Sequence, residues 1–314
     1  MGPLARTGLA GVLSCGVLIA VVSIERADKG DGKSRAPAPT AVVQGPYVAL
    51  GDSYTSGPGI PDQTGKPAGC DRSSRNYPAL VAKRLGVKAA DFRDMSCSGA
   101  TTTDLTAPQS TDDGTNPAQL SVLDRRTRLV TLGIGGNDIG FSSMITKCVT
   151  AGALYKAAAQ LASVPDQAPC KGSYQSGGTD TVTEKIDATR QRLDRALREV
   201  HERAPQARVY VVGYPSILPS DASACDRAIP LAPGDVTFLR DQEGRLNTML
   251  RERAEAAGAT YVDTHTPSAG RDACSPAGTR WIEPLEPASP AARVHPNARG
   301  EQGMAEAVLK SIGA

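Results

Sequence analysis

Short apolar runs alternate with amphipathic segments along most of the chain. Because strands that are buried on both faces carry few polar residues, the apolar runs predict such strands. They occur at residues 47–50, 92–97, 129–134, 208–213 and 259–263. Between and after them, apolar residues recur at spacings of three and four, which predicts helices. The helices are expected at residues 76–86, 182–203, 236–257 and 300–312.

This alternation predicts an α/β protein. Parallel strands are joined by crossover connections that usually contain a helix, so the alternation favours a parallel sheet covered on both faces. We expect one three-layer α/β/α sandwich over residues 46–314, with about five parallel strands. The other segments are rich in Gly, Pro and Cys and are expected to be surface loops pinned by disulfides. These segments are residues 55–75, 104–120, 140–180 and 214–235.

The first residues have the layout of an export segment. Residues 8–24 are uncharged and apolar, with Arg6 before them and Glu25 after them. This pattern is typical of a signal peptide or a membrane anchor, so residues 1–26 are predicted to be one or the other. Residues 27–45 are polar and Pro-rich, which predicts a disordered linker. The protein is therefore expected outside the cell, either secreted or anchored through residues 8–24.

Cysteine usage agrees with export. Of the seven cysteines, Cys15 lies in the predicted leader, which leaves six in the rest of the chain. An even number in an exported protein predicts three disulfides. The simplest scheme joins neighbours in sequence, namely Cys70–Cys97, Cys148–Cys170 and Cys225–Cys274, although other pairings stay open. No CxxC pair is present and the three histidines are scattered, so no metal site is expected.

The charge balance argues against a nucleic-acid partner. Of the 35 basic and 33 acidic residues, five basic and three acidic ones precede residue 41, so the remainder has no net charge. A nucleic-acid-binding domain normally carries a basic patch that pairs with phosphates. Hydrophobic residues make up 40% of the chain, enough for an ordinary globular core. We expect a monomer that acts on a small-molecule or lipid substrate.

Residues suited to catalysis follow three of the predicted strands. Ser53 comes after the first strand, Gly99 after the second and Asn137 after the third, while His295 lies near the C-terminus. The carboxyl ends of parallel strands meet at one edge of a sheet, so these groups are expected to converge there. A hydroxyl, a glycine N–H, a side-chain amide and an imidazole are the groups that acyl transfer from an ester needs.

In this order the motifs resemble those of the SGNH hydrolases, also called GDSL-type lipases and esterases. The four blocks are Gly51-Asp52-Ser53, Gly99, Gly135-x-Asn137-Asp138 and His295. The resemblance covers residues 47–312 and implies the SGNH hydrolase fold, with a flavodoxin-like strand order. The six cysteines and the stretch from Trp281 to Asn297 are similar to the secreted actinobacterial lipase branch.

The resemblance implies a role for each of these residues. Ser53 would be the nucleophile and His295 the general base. The oxyanion hole would consist of the backbone N–H groups of Ser53 and Gly99 and the side-chain amide of Asn137. No cofactor is implied. Substrates would be carboxylic esters, with lipid esters favoured by the similarity to secreted lipases.

The third member of a catalytic triad is where the chain departs from the family pattern. The family usually has Asp three residues before the catalytic His, but that position is Ala292 here. We therefore predict a Ser–His dyad, in which a backbone carbonyl accepts the Nδ1–H of His295. Ala292, Arg293 and Trp281 are candidates for that carbonyl, and Asp263 is the alternative carboxylate.

Each of these residues also has an ordinary structural interpretation. Ser53 could cap the following helix, and Asn137 could be a turn residue. Asp138 could simply tie down the third loop. His265 follows the fifth strand and is the rival base, whereas His201 lies on a polar helix surface.

Three alternative functions stay open, two of them enzymatic with the same catalytic residues and one non-enzymatic. The site could deacylate phospholipids, or it could remove acetyl groups from carbohydrates. As a non-enzyme, the chain could be a tethered binding module that has lost catalysis.

Overall fold

The computed structural model describes residues 45–161, 167–176, 179–225 and 228–314. The predicted leader, and all of the predicted linker except Gly45, lie outside the described residues. In the part that is described, no helix combines the length and apolarity needed to cross a membrane.

Five parallel strands form the central sheet. They are β1 (Tyr47–Gly51), β2 (Phe92–Asp94), β3 (Leu129–Gly133), β4 (Arg208–Val212) and β5 (Thr260–Val262). Their order is β2-β1-β3-β4-β5, with every neighbouring pair parallel. This confirms the predicted parallel sheet with flavodoxin-like order. In this order the winding reverses between β1 and β3, and ligands bind beyond the carboxyl ends of the strands at such a point.

Helices cover both faces of the sheet. They are α1 (Ser53–Ser56), α2 (Tyr77–Arg84), α3 (Phe141–Ala159), α4 (Thr181–Arg203), α5 (Pro233–Ala256) and α6 (Ala298–Ile312). Along β1, Tyr47 and Ala49 pack in one apolar cluster with residues of α2 and α6. Val48 and Leu50 point the other way and pack with residues of α4 and α5. Because successive side chains of a strand alternate between faces, both faces are apolar and the three layers follow.

The prediction of a loop over residues 140–180 is wrong for the first half of that segment. Residues Phe141–Ala159 form the 19-residue helix α3. Its buried residues include Phe141, Met144, Ile145 and Cys148, which recur at helical spacing. Threonines and glycines between them lower the intrinsic helix propensity and suggested a loop. Packing of the apolar face against the protein core outweighs that propensity.

Three disulfides are present, as predicted, and they join neighbours in sequence: Cys70–Cys97, Cys148–Cys170 and Cys225–Cys274. Cys70–Cys97 fixes the segment that follows β2, two residues before Gly99. Cys148–Cys170 ties α3 to the segment after it. The bonded cysteines are 27, 22 and 49 residues apart in the chain. A disulfide that closes a loop of such a length typically stabilises the fold by about 3 kcal/mol, because it restricts the unfolded chain.

Candidate active site

The nucleophile candidate lies where β1 turns into α1. Gly51 ends β1, and a Cβ atom there would lie 2.5 Å from the Gly133 carbonyl oxygen, so only glycine fits. Asp52 caps α1, its side chain accepting a hydrogen bond from the Tyr54 amide at 3.0 Å. Ser53 is therefore the first residue of the helix, at the edge where the strands end, and 8% of its surface is exposed. Its hydroxyl lines the cavity described below.

The structure brings Ser53 and His295 together. The Nε2 atom of His295 lies 2.8 Å from Ser53 Oγ, and its Nδ1 atom lies 2.8 Å from the Arg293 carbonyl oxygen. A carbonyl can only accept, so Nδ1 carries the proton and Nε2 is left to accept from the Ser53 hydroxyl. Of the three candidate carbonyls, Arg293 is the one in contact with the imidazole.

The alternative carboxylate Asp263 and the other two histidines lie next to other groups. The Asp263 carboxylate accepts hydrogen bonds from the Thr266 amide and hydroxyl. His265 lies 3.6 Å from a carboxyl oxygen of Glu243. His201 contacts the Leu197 carbonyl within α4. Of the three histidines, His295 is the one hydrogen-bonded to Ser53.

Burial tunes the imidazole for this contact. It disfavours the charged form and lowers the pKa of His295, while the hydrogen bond to the Arg293 carbonyl opposes the shift. The net direction is downward, so His295 is neutral at neutral pH. A neutral imidazole with a free Nε2 lone pair is the form that accepts a proton.

The backbone before His295 is held in an unfavourable conformation. Val294 has a φ of 57°, in the left-handed region that a β-branched residue seldom adopts. Its amide donates to the Glu283 carbonyl at 2.9 Å, and its own carbonyl accepts from the Tyr54 hydroxyl at 2.7 Å. The Glu283 amide in turn donates to the His295 carbonyl at 3.0 Å. These contacts fix the loop that presents the imidazole.

Glu283 also holds this loop through its side chain. The buried carboxylate accepts from Asn297 Nδ2 at 2.7 Å, from the Ala288 amide at 2.8 Å and from the Ser289 hydroxyl. Burial would raise the pKa of Glu283, but these hydrogen bonds outweigh it and lower the pKa. This residue was not predicted from the sequence, because nothing near it in the chain shows that its partners surround His295.

Asp52 links the first motif to the third. Its carboxyl group accepts from the Tyr214 hydroxyl, which itself accepts from the Gly136 amide at 2.7 Å. Burial raises the pKa of Asp52 to about 7, although the hydrogen bonds from the Tyr214 hydroxyl and the Tyr54 amide act in the other direction. Tyr214 was also missed, although its place just after β4, at a strand end, was a usable signal.

The oxyanion candidates lie around the same edge. Asn137 lines the cavity with Ser53 and His295, and its Nδ2 atom donates one hydrogen to the Ala100 carbonyl at 2.9 Å. A second N–H remains on that amide. Gly99 has a φ of 77° and is exposed beside this contact. Within the described residues, neither the Ser53 nor the Gly99 amide donates to a protein acceptor.

Asp138 has the structural role that was its alternative interpretation from the sequence. Its carboxylate accepts from the Thr102 amide at 2.9 Å and pairs with Arg192 of α4 at 3.1 Å. It thereby connects the loop after β3 to a helix on one face of the sheet.

A mainly apolar cavity of about 240 Å³ opens beside Ser53 and His295. Its aliphatic and phenylalanine side chains are those of Phe141, Ile145, Ile217, Leu246, Leu285 and Val294. Helix α3, absent from the sequence prediction, supplies the first two. Tyr54 lines the cavity too, and its ring lies 5.1 Å from the imidazole of His295. An apolar pocket beside a polar edge suits a substrate with a hydrocarbon chain.

Comparison with known proteins places the chain among ester hydrolases. Residues 49–302 match the GDSL-like lipase/acylhydrolase family. The chain belongs to this family. It is 42% identical to Lipase 2 of Streptomyces coelicolor over 269 residues, which are 85% of each chain. It is 30% identical to Lipase 1 of the same organism over 299 residues, covering 95% and 96% of the two chains.

Solved structures support the same assignment. The phospholipase A1 of Streptomyces albidoflavus superposes with a TM-score of 0.66 at 31% identity, covering 85% of this chain and 98% of that one. The extracellular lipase of Streptomyces rimosus gives a TM-score of 0.61 at 28% identity, covering 86% and 100%. This GDSL-like hydrolase is an ester hydrolase of the lipase and esterase type.

Proposed function

We propose that this hydrolase cleaves carboxylic esters of lipids outside the cell, through an acyl-enzyme formed by a Ser53–His295 dyad. The observation that carries the proposal is the chain of two 2.8 Å contacts from Ser53 Oγ through the imidazole to the Arg293 carbonyl. This geometry leaves Nε2 able to take the hydroxyl proton. The backbone carbonyl takes the place that an Asp holds in a triad, orienting the ring and fixing its tautomer.

The reaction follows from these positions. His295 accepts the Ser53 proton while Oγ attacks the ester carbonyl carbon, giving a tetrahedral intermediate. The N–H groups of Ser53, Gly99 and Asn137 stabilise the oxyanion. The intermediate collapses as the imidazolium of His295 protonates the departing alcohol. Water, deprotonated by the same imidazole, then attacks the acyl-enzyme, and the imidazolium returns the proton to Ser53 Oγ as the acid is released.

Replacing Asn137 with alanine tests the oxyanion hole. Loss of one such donor typically lowers kcat by about 10²–10³-fold, and we expect a decrease in that range with an unchanged fold. Steady-state kinetics with a p-nitrophenyl ester and a thermal melt measure the two effects. Asp138→Asn is the matched neighbouring change. It should lower the melting temperature and have little effect on kcat. An Asn137→Ala variant with wild-type kcat would remove this residue from the mechanism.

The apolar cavity favours lipid substrates over small acetyl esters. Burial of a hydrocarbon chain against its apolar walls contributes about 25 cal/mol of binding free energy per Å² of chain surface removed from water. Phospholipid deacylation is the second candidate, because a structurally similar protein at 31% identity is a phospholipase A1. Export is supported by the three disulfides, which persist in oxidising compartments. It is also supported by the apolar segment at residues 8–24.

A substrate panel distinguishes these candidates. Purified, disulfide-intact protein is assayed on p-nitrophenyl esters of increasing chain length, on a phospholipid and on an acetylated glycan. The proposal predicts that kcat/KM increases from acetyl to longer chains and exceeds that for the glycan. A preference for the glycan or for acetyl esters would overturn the lipid assignment. Turnover of the phospholipid above all neutral esters would replace it with a phospholipase.

A further inference from the structure

Glu243 is a carboxyl group in the cavity wall that the proposed mechanism does not use. It lies on α5, is 2% exposed, and lines the same cavity as Ser53 and His295. Leu246, one turn further along α5, and Ile217 lie in the same wall. Removing a carboxyl group from water is unfavourable unless other groups bond to it.

The hydrogen bonding of Glu243 is incomplete. Oε2 accepts from the Ile217 amide at 3.2 Å. Oε1 is buried and has no hydrogen-bond partner in the described part of the chain. The Nε2 atom of His265 is 3.6 Å from Oε1, which is beyond hydrogen-bond distance. Glu243 thus brings to the cavity wall a carboxyl group of which one buried oxygen has no hydrogen-bond partner among the described residues.

The charge states of this region favour a neutral partner. Burial raises the pKa of Glu243 to about 8, against the opposing effects of the Ile217 amide and Arg240. Burial also lowers the pKa of His265. Both side chains are therefore neutral at neutral pH, and their contact is not an ion pair. A protonated carboxyl group both donates and accepts, which matches the two capacities of an alcohol hydroxyl.

We propose that Glu243 is a specificity residue that hydrogen-bonds a hydroxyl carried by the acyl chain, so that esters of hydroxylated fatty acids are substrates. This rests on the proposed function, because it takes the acyl chain to lie in the cavity beside Ser53. The mainly apolar wall suits a hydrocarbon chain better than a polar alcohol portion. A site built around such a contact discriminates against the chain that lacks the hydroxyl, since the buried carboxyl group is then unpaired.

The test compares matched substrates. Ethyl esters of one chain length are prepared with a hydroxyl moved along the acyl chain one carbon at a time, beside the unsubstituted ester. We expect kcat/KM of the wild-type protein to be about tenfold or more higher for the hydroxylated ester at one or two adjacent positions. A further ester carries the hydroxyl on the alcohol portion instead. A preference for that ester alone would overturn the proposal.

Variants assign the preference to Glu243. Glu243→Leu, of similar size, should reduce the ratio of kcat/KM for the hydroxylated ester to kcat/KM for the plain ester to one or below. Glu243→Gln retains a donor and an acceptor and should keep a ratio above one. Thr146→Val removes another polar group from the cavity wall and should leave the ratio unchanged. If the leucine variant does not fold, Glu243→Asp, which withdraws the acid by one methylene, must lower the ratio.

Other outcomes contradict the proposal directly. A wild-type ratio at or below one for every hydroxyl position would exclude the contact. A Glu243→Leu variant that loses activity equally on both esters would make Glu243 a packing residue. Failure of the proposed function is separate from these outcomes. It would appear as absent turnover of the plain ester, or as turnover that Ser53→Ala leaves intact.

Discussion

Replacing Ser53 with alanine is expected to lower kcat for ester hydrolysis by roughly 10⁶-fold, the size of effect seen when a serine nucleophile is removed. The reason is that the acyl-enzyme cannot form without Oγ, and the imidazole then has no hydroxyl to deprotonate. Steady-state assays with a p-nitrophenyl ester measure the loss. Labelling with a fluorophosphonate, which modifies an activated serine, should disappear in the same variant.

Ser56→Ala is the matched control for this change. Ser56 lies in the same short helix and is buried, its hydroxyl is 3.5 Å from that of Ser98, and it is not among the residues that line the cavity. This variant should keep both turnover and labelling. Should Ser53→Ala retain full turnover in a disulfide-intact preparation, the nucleophile lies elsewhere and the proposed mechanism fails.

Replacing His295 with alanine should lower kcat by a similar factor, because the nucleophile and its base act as a unit. The variant should remain folded, since the loop is held mainly by backbone and side-chain contacts of Val294 and Glu283 rather than by the imidazole. Circular dichroism checks the fold, and the same ester assay measures the rate. The double variant with Ser53→Ala should be no slower than either single variant.

Two further changes separate the dyad from its alternatives. Asp263→Asn should change kcat only slightly, because its carboxylate bonds to Thr266 and not to the imidazole. A decrease as large as that of His295→Ala would instead make Asp263 the third member of a triad. If His265→Ala abolished turnover and His295→Ala retained it, His265 would be the general base in place of His295.

The fold could be predicted because its signals are local. Strands covered on both faces are apolar throughout, so β1, β3 and β4 are visible as runs of apolar residues. The helices on the sheet show apolar residues at helical spacing, and four of them were located within a few residues. Helix α3 was missed because threonines and glycines obscured the same spacing, and its packing partners are distant in sequence.

The candidate site was only partly visible from the sequence. Ser53 and Asn137 were found because each follows a strand, and the ends of parallel strands must share an edge. Tyr214, Glu283 and Glu243 were not found. Their interest lies in contacts such as the one between Tyr214 and Asp52, which are 162 residues apart in the chain. Apart from the strand-end position of Tyr214, nothing in the local sequence indicates such contacts.

The sequence by itself determined the layers, the parallel sheet, the cysteine content and the motifs at the strand ends, because each depends on neighbouring residues or on spacing. Only the tertiary structure decided which carbonyl accepts from His295. That choice depends on the left-handed backbone of Val294, which is held by contacts with Glu283 and Tyr54. The tertiary structure also decided which residues line the cavity, since those residues come from separate segments that meet only when the chain has folded.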